Sequence, residues 1–484
     1  MQITQKTSKF NIVIISLILL WIINKISIGI ITGKLKAVYI PIGFSILIMI
    51  PYIVNKIGSF PFLCGFVFIY WIPFNSGLGH VSPFLEHMYP TEVGLWMLCL
   101  GILVFGRVSR SAQFYSAVGR FPFLPFVLLI VGSLTANLVS GNRFALTELS
   151  QIRILCILPA VICFVFIYFL KTVKQAERLL WIFLISAGIL GLVYLFAPKI
   201  VGPNSSYSYS SLADTSRVSI TIKLPLFSSF SMNPETASIF FAFILAILFT
   251  LWLNNPSFRR RLMAMGVLAI SALAIIRSQG RTGLIAATCS LIVIQVLSLR
   301  FISYQTRSLL RSLLKPTIII GTLLLGVLYF ASISEIYIFR QRVFSLFTDP
   351  LYALSSRVKR WEPAVDEVLD SPFGVGIFGF PSADGQSWIA HNLYLFLLLS
   401  FGIIGIIGFF WFFLRYTKSC WLGLHSNRPN RRILCVAGIG CVTILFVSGI
   451  GSCIFWSPWE VLMGWIPIGI TMAVATLPEE KDTK

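Results

Sequence analysis

The chain has 484 residues, of which 57% are hydrophobic and only 11% are charged, and its formal net charge is +21. Charged residues make up about a quarter of a soluble protein, so this composition excludes an ordinary soluble protein. Apolar runs long enough to cross about 30 Å of hydrocarbon recur along the whole chain, which predicts an all-α polytopic membrane protein. Basic residues then orient the chain in the bilayer, so its positive charge is no reason to expect a nucleic-acid partner.

The nine cysteines are odd in number, include no Cys-x-x-Cys pair and mostly lie inside apolar runs. This pattern excludes a disulfide framework and a zinc site, and it predicts that the cysteines are small buried hydrophobic residues. The four histidines are too scattered to form a metal cluster from one stretch of sequence. We therefore expect neither a metal nor another cofactor.

Hydropathy predicts about 12–14 transmembrane helices, since a short apolar run such as the first or the last can be re-entrant. The predicted spans are 10–31, 37–54, 60–74, 93–106, 121–139, 154–170, 179–197, 235–254, 262–276, 282–299, 316–333, 392–414, 433–449 and 460–476.

Basic residues concentrate in alternate loops, and this predicts the orientation of the bundle. The clusters lie at 107–120, 171–178, 259–261, 300–315 and 415–432. By the positive-inside rule these loops and both termini are cytoplasmic. The remaining loops face outward, among them the long polar segment 334–391.

The outward segment carries unlike charges in an unusual concentration. Its basic residues are Arg340, Arg342, Arg357, Lys359 and Arg360. Apolar residues at helical spacing from Trp361 to Asp370 then predict a short surface helix with Pro363 in its first turn. That would place Arg357 and Arg360 at or just before a helix N-terminus, where free N–H groups also attract anions, so we predict a phosphate cradle. For Arg360 the alternative is a salt bridge within the same helix.

The next residues, Gly374-Val375-Gly376-Ile377-Phe378-Gly379, match the pattern G-x-G-x-x-G. They follow a Ser-Pro stop and lead into a loop, whereas a dinucleotide site joins a strand to a helix. We therefore predict a glycine-rich turn that lets the backbone pack against neighbouring helices.

Four further polar residues lie where outward loops meet apolar helices. His391, with Asn392, is predicted in the first turn of a span, where the positive helix end favours a neutral imidazole that could act as a general base. Arg281 and Glu235 each open another span. The alternatives are contact with lipid headgroups for Arg281 and capping of its own helix for Glu235.

Together these motifs resemble the signature of the O-antigen ligase and O-antigen polymerase superfamily. The matching positions are Arg357 and Trp361, Pro372, Gly374 and Gly376, then His391 and Asn392, while the upstream segment SQGRTGLIAA aligns its arginine as Arg281. The resemblance covers about residues 230–415. It divides the chain into N-terminal transmembrane helices (1–229), a ligase-like core (230–415) that contains the loop 334–391, and C-terminal transmembrane helices (416–484).

The resemblance implies a glycosyltransferase of the bacterial inner membrane that works on the periplasmic side without a metal or a nucleotide sugar. Its donor would be an undecaprenyl-diphosphate-linked saccharide, and its acceptor another glycan, the lipid A core or a protein side chain. Arg281 and one of Arg340, Arg342 or Arg357 would hold the diphosphate. His391 would deprotonate the acceptor hydroxyl, with Glu235 as the alternative base. Polymerase and ligase remain equally compatible with the sequence.

A transporter, either a glycan-lipid flippase or an anion carrier, is the alternative function, and a scaffold for polysaccharide assembly is a third. Transporters place charges near the bilayer midplane on broken helices. Here the charges concentrate in one outward loop, which favours the glycosyltransferase.

A reporter fused after about Ser387 is expected to be active only outside the cytoplasm, because the basic clusters place segment 334–391 on the outer side. A fusion within 415–432 is the matched control and should show the opposite activity. Labelling of an engineered cysteine near Ser387 from the cytoplasmic side would contradict both the orientation and the glycan-transfer hypothesis.

Overall fold

The computed structural model describes residues 59–69, 92, 95, 96, 98, 99, 112–141, 151–200, 220–222, 230–232, 234–254, 258–278, 280–302, 350–377, 392–452 and 458–478. The helices within these ranges are α1 (Ser59–Ile69), α2 (Ala112–Arg120), α3 (Phe123–Val139), α4 (Leu158–Phe169), α5 (Val173–Ile200), α6 (Pro234–Asn254), α7 (Phe258–Ser278), α8 (Arg281–Phe301), α9 (Pro350–Asp370), α10 (Leu393–Leu424), α11 (Pro429–Gly451) and α12 (Pro458–Ala475). A π-helical turn (Arg153–Ile157) precedes α4. Two three-residue strands, β1 (Ile220–Ile222) and β2 (Phe230–Met232), pair antiparallel.

The protein is an all-α polytopic membrane protein, as the sequence predicts. Among the described helices, α5, α6, α8, α10 and α11 are long and apolar enough to span a bilayer, and α2 and α3 together form a further candidate bent by 60°. The predicted spans 10–31, 37–54 and 316–333 lie outside the described residues. The eight cysteines that the structure describes are all free, and six of them are buried, which confirms the predicted burial for those six; Cys64 and Cys289 are only partly buried.

Helix α6 is the centre of the described bundle. Its sequence is hydrophobic on all sides, and most of its span from Glu235 to Leu253 is buried. Helices α7, α8, α11 and α12 all contact it. A helix that is apolar all round is stable only when other helices surround it. Glu235, in the first turn of α6, therefore begins the most enclosed helix of the bundle.

Helices α3 and α10 cross closely through glycines. A Cβ on Gly132 would overlap the carbonyl oxygen of Phe401, and one on Gly408 would lie 2.6 Å from the carbonyl oxygen of Pro125. Small residues let transmembrane backbones approach in this way, where no hydrophobic effect drives the helices together. Glycine therefore lets the backbones of α3 and α10 pack closely against each other.

Arginines bind the C-terminal ends of three helices. Arg120 donates to the carbonyl oxygen of Ile167 (3.0 Å), Arg431 to that of Ala475 (3.0 Å) and Arg432 to that of Phe301 (2.8 Å). A positive side chain complements the partial negative charge of a helix C-terminus. These contacts bring the ends of α4, α8 and α12 to the same end of the bundle as the start of α11.

Glu177 ties two more helix starts to this end of the bundle. It forms an ion pair with Arg260 (2.6 Å) and accepts a hydrogen bond from Asn430 (3.2 Å). We call this end, which carries the basic clusters 107–120, 171–178, 259–261 and 415–432, the basic end. That it faces the cytoplasm stays a prediction.

Helix α9 corrects the predicted surface helix. It begins at Pro350, eleven residues before Trp361, and Pro363 lies in its interior. The early start has a local cause, since proline is favoured in the first turn of a helix and Leu, Ala, Arg and Lys are good helix formers. Arg357 and Arg360 therefore lie in the body of the helix, and the predicted phosphate cradle at its N-terminus is wrong.

The buried face of α9 is narrower than its apolar residues suggest. Ala364 is fully buried, and it packs with Val368 against Leu395 and Leu399 of α10. Val365 and Leu369, which the pattern assigns to the same face, are 41% and 73% exposed. Helix α9 therefore rests along the first turns of a membrane span on one narrow stripe.

Candidate functional site

Helices α6, α8, α10 and α12 begin at the end of the bundle opposite the basic end, and α11 ends there. Thr236 at the start of α6 donates to Glu460 at the start of α12 (2.8 Å). Asn392, just before α10, donates to the carbonyl oxygen of Ile450 at the end of α11 (3.2 Å). We call this end the site end, because it gathers the described residues that the sequence singles out.

Arg281 and Glu235 come together at the site end. Thr282, the residue after Arg281, donates to Oε1 of Glu235 (3.3 Å). Helices α6 and α8 approach closely here because Gly283 lies against Ser238, leaving no room for a Cβ. The Glu235 carboxylate thus contacts a second helix, α8, so capping of its own helix is not its only contact. Both residues are half-buried.

Asn392 fixes the beginning of α10. Its Oδ1 accepts hydrogen bonds from the backbone N–H groups of Tyr394 (2.9 Å) and Leu395 (3.1 Å), while its amide nitrogen binds Ile450. An asparagine in this role satisfies N–H groups that the first turn leaves free. The chain position immediately after His391 is therefore held on two helices.

His391 itself lies outside the described residues, and its predicted place in the first turn needs correction. Helix α10 begins at Leu393 with Asn392 as its N-cap, so His391 precedes the helix. The asparagine side chain competes for the helical N–H groups, which is why the chain enters the helix one residue after it.

Arg281 and Asn392 lie at a similar depth in the bundle. Helices α8 and α11 run antiparallel, and the Ser290 hydroxyl donates to the carbonyl oxygen of Gly440 (2.9 Å). From this contact Arg281 is nine residues and Ile450 ten residues toward the site end. At 1.5 Å per residue both distances are about 14–15 Å. The site end therefore places Arg281 level with the residue that holds Asn392.

For the remaining predicted arginines, the side chains lie outside the described part of the structure. Arg340 and Arg342 lie outside the described residues. Arg357 and Arg360 are in α9, but their side chains are outside the described part. Within the described residues, no group of three histidine, cysteine or acidic side chains could hold a metal ion.

A buried ion pair at the site end was missed by the sequence analysis. Arg153, in the π-helical turn before α4, lies 3.1 Å from Glu92, and both side chains are fully buried. Trp96 also donates to Glu92 (3.4 Å). A charge at the edge of an apolar run is the sequence signal for such a pair, but its partner is 61 positions away and nothing local identifies it. Charges enclosed in a membrane bundle are costly unless paired.

Replacing Asn392 by alanine should destabilise the protein by about 0.5–2 kcal/mol, because the helix loses its cap and its bond to Ile450. Asn392→Asp keeps the acceptor for the N–H groups but loses the donor, so its loss should be intermediate. Thermal unfolding in detergent measures both, with the exposed Asn430→Ala as control. A wild-type melting temperature for Asn392→Ala would show that the cap contributes nothing.

Comparison with known proteins agrees with these features. No curated protein matches the chain. The sequence model of the O-antigen ligase family matches residues 266–410. This stretch contains α8, α9, the glycine-rich turn and the start of α10, but not Glu235 or Arg153. Residues 266–410 are thus similar to the O-antigen ligase family, in agreement with the resemblance to the O-antigen ligase and O-antigen polymerase superfamily.

Proposed function

We propose that the protein transfers a saccharide from an undecaprenyl-diphosphate carrier to an acceptor hydroxyl on the outer side of the membrane. The observation that carries this proposal is the depth at which Arg281 lies, level with the anchor of Asn392, the residue that follows His391 in the chain. The match to the O-antigen ligase family also supports a role in membrane glycan processing. An anion-binding residue and a candidate base would thus meet at one level of the bilayer.

Arg281 is suited to hold one phosphate of the donor. It is the first residue of α8, and the N–H groups in the first turn of a helix also favour an anion. The carboxylate of Glu235 is close by and would repel a second negative charge on the donor. A diphosphate therefore needs further cations, and Arg340, Arg342, Arg357 and Arg360 of the outward segment are the candidates.

His391 would act on the acceptor. The acceptor oxygen attacks the anomeric carbon of the donor sugar, and its proton passes to the neutral imidazole. The bond from that carbon to the diphosphate oxygen breaks, and the electron pair leaves with the diphosphate. Arginines that stabilise the developing charge can serve where other enzymes use a metal. Glu235 is the alternative base.

One observation favours a transporter instead. Helix α10 is broken at Gly402, and broken helices are common at transporter binding sites. However, the residues that line this break most closely, Phe373, Gly374 and Leu399, are uncharged. Glycan transfer therefore stays the leading proposal.

Arg281→Ala should weaken donor binding by about 1.5–3 kcal/mol, or roughly 10–200-fold in Kd, because a hydrogen-bonded charge is lost. Arg281→Lys should rescue poorly, since lysine lacks the bidentate fork. Binding of a polyprenyl-diphosphate saccharide to protein in nanodiscs measures this. Arg300→Ala, at the other end of the same helix, is the matched control. Equal affinity of Arg281→Ala and the wild type would mean that Arg281 contacts only headgroups.

His391→Ala should lower the transfer rate by about 10²–10⁴-fold while leaving donor binding nearly unchanged. In the wild type, transfer should fall at acidic pH, where the imidazole is protonated and cannot accept a proton. The assay is single-turnover transfer in nanodiscs, with lipid-linked repeat or lipid A core as acceptor. His425→Ala, at the basic end, is the control. Unchanged turnover and an unchanged acid limb would shift the base to Glu235.

A further inference from the structure

The break in α10 is filled by backbone from the outward segment. In a continuous helix the N–H of Ile403 would bind the carbonyl oxygen of Leu399, four residues earlier. Here the N–H of Ile403 donates to the carbonyl oxygen of Pro372 (3.0 Å), and the carbonyl oxygen of Leu399 accepts from the N–H of Val375 (2.7 Å). The helical hydrogen bond between Ile403 and Leu399 is thus absent, and residues 372–375 supply hydrogen-bond partners for both groups. We call these paired segments, 372–375 and 399–403, the clasp.

Glycines make the clasp possible. Gly402 has φ 60° and Gly374 has φ 86°, values that other residues rarely adopt. A Cβ on Gly402 would overlap the carbonyl group of Phe373. A Cβ on Gly374 would lie 2.8 Å from both the backbone nitrogen of Gly402 and the carbonyl oxygen of Leu399. The predicted glycine-rich packing turn is therefore confirmed, and its partner is the broken helix.

The clasp lies well away from both ends of the bundle. Gly402 is ten residues from Asn392 and thirteen from Arg415 in the basic cluster, or about 15 Å and 20 Å along a helix. Hydrocarbon is about 30 Å thick, so this depth offers little water to satisfy free backbone groups. Gly374, Val375 and Gly376 are all buried. Both hydrogen bonds of the clasp therefore hold the turn in place.

The clasp fixes the inner end of the outer section of α10, residues 393–401, which is only two and a half turns long. At its outer end this section is held by Asn392 and by Tyr394, whose hydroxyl donates to the carbonyl oxygen of Phe446 (2.7 Å). At its inner end, its last turn is held by the clasp. A continuous helix at Gly402 would point this section, and the residue before Asn392, in a different direction.

We propose that the clasp positions His391 for transfer, an inference that rests on the proposed function. The donor would be held by Arg281 on α8, whereas His391 is attached to the outer section of α10. The clasp therefore sets the position of the base relative to a donor that is bound elsewhere. A misplacement of about 1 Å can cost about 10²-fold in rate.

The test compares Gly402→Ala and Gly374→Ala with the wild type in nanodiscs. Both variants should lower kcat for transfer from a polyprenyl-diphosphate saccharide by about 10²-fold. The Kd for the donor should stay within about threefold, because Arg281 is untouched. Amide hydrogen exchange should become faster in the peptides that contain Val375 and Ile403. Gly374→Ala changes only the inserted turn, so it keeps the test valid if Gly402→Ala fails to fold.

Gly408→Ala is the matched control. It introduces a backbone clash on the same helix, 2.6 Å from the carbonyl oxygen of Pro125, without touching the clasp. It should lower thermal stability but keep kcat and the protection of Val375 and Ile403.

Two results would overturn the inference. One is wild-type kcat in a Gly402→Ala protein whose exchange shows an open clasp, and the other is an equal loss of kcat in Gly408→Ala. Absence of transfer by the wild type would instead refute the proposed function, and the inference with it.

Discussion

The structure depends on how one opened hydrogen bond in a membrane helix is satisfied. Backbone groups that lose their helical partner cannot turn to water at this depth, so another peptide segment must bind them. Residues 372–375 do so for Leu399 and Ile403. This requirement explains why a polar outward segment returns into an apolar bundle, why its turn is rich in glycine, and why α9 comes to rest along the first turns of α10.

The direction of each helix sorts the polar residues between the two ends of the bundle. At the basic end, arginines donate to the carbonyl oxygens that end α4, α8 and α12. At the site end, Glu235, Asn392 and Glu460 lie at helix starts, where the partial positive charge of the helix favours side-chain oxygens. The same peptide dipole therefore favours arginine at one end and an anion-binding surface at the other. The proposed donor site uses the second of these.

Much of the bundle could be predicted because a span needs about twenty apolar residues, a strong signal in any sequence. Spans 235–254 and 282–299 agree with α6 and α8 to within a few residues. The start of α9 was wrong because Pro363 was assigned to the first turn, where proline is favoured, whereas the helix begins at Pro350 and continues through Pro363. The break at Gly402 was not foreseen, since glycine is common in membrane helices and its partner is 30 positions away. The pair of Arg153 and Glu92 was missed for the same reason of distance.

The arginine contacts at the basic end also lower the effective positive charge of the chain. Each helix C-terminus carries roughly half a negative charge, and Arg120, Arg431 and Arg432 each face one. These guanidinium groups are partly neutralised within the protein, so the formal charge of +21 overstates the field that anionic lipids experience. Basic residues that are predicted to orient the chain during insertion thus also hold helix ends together once the helices have assembled, so one set of side chains would serve both insertion and packing.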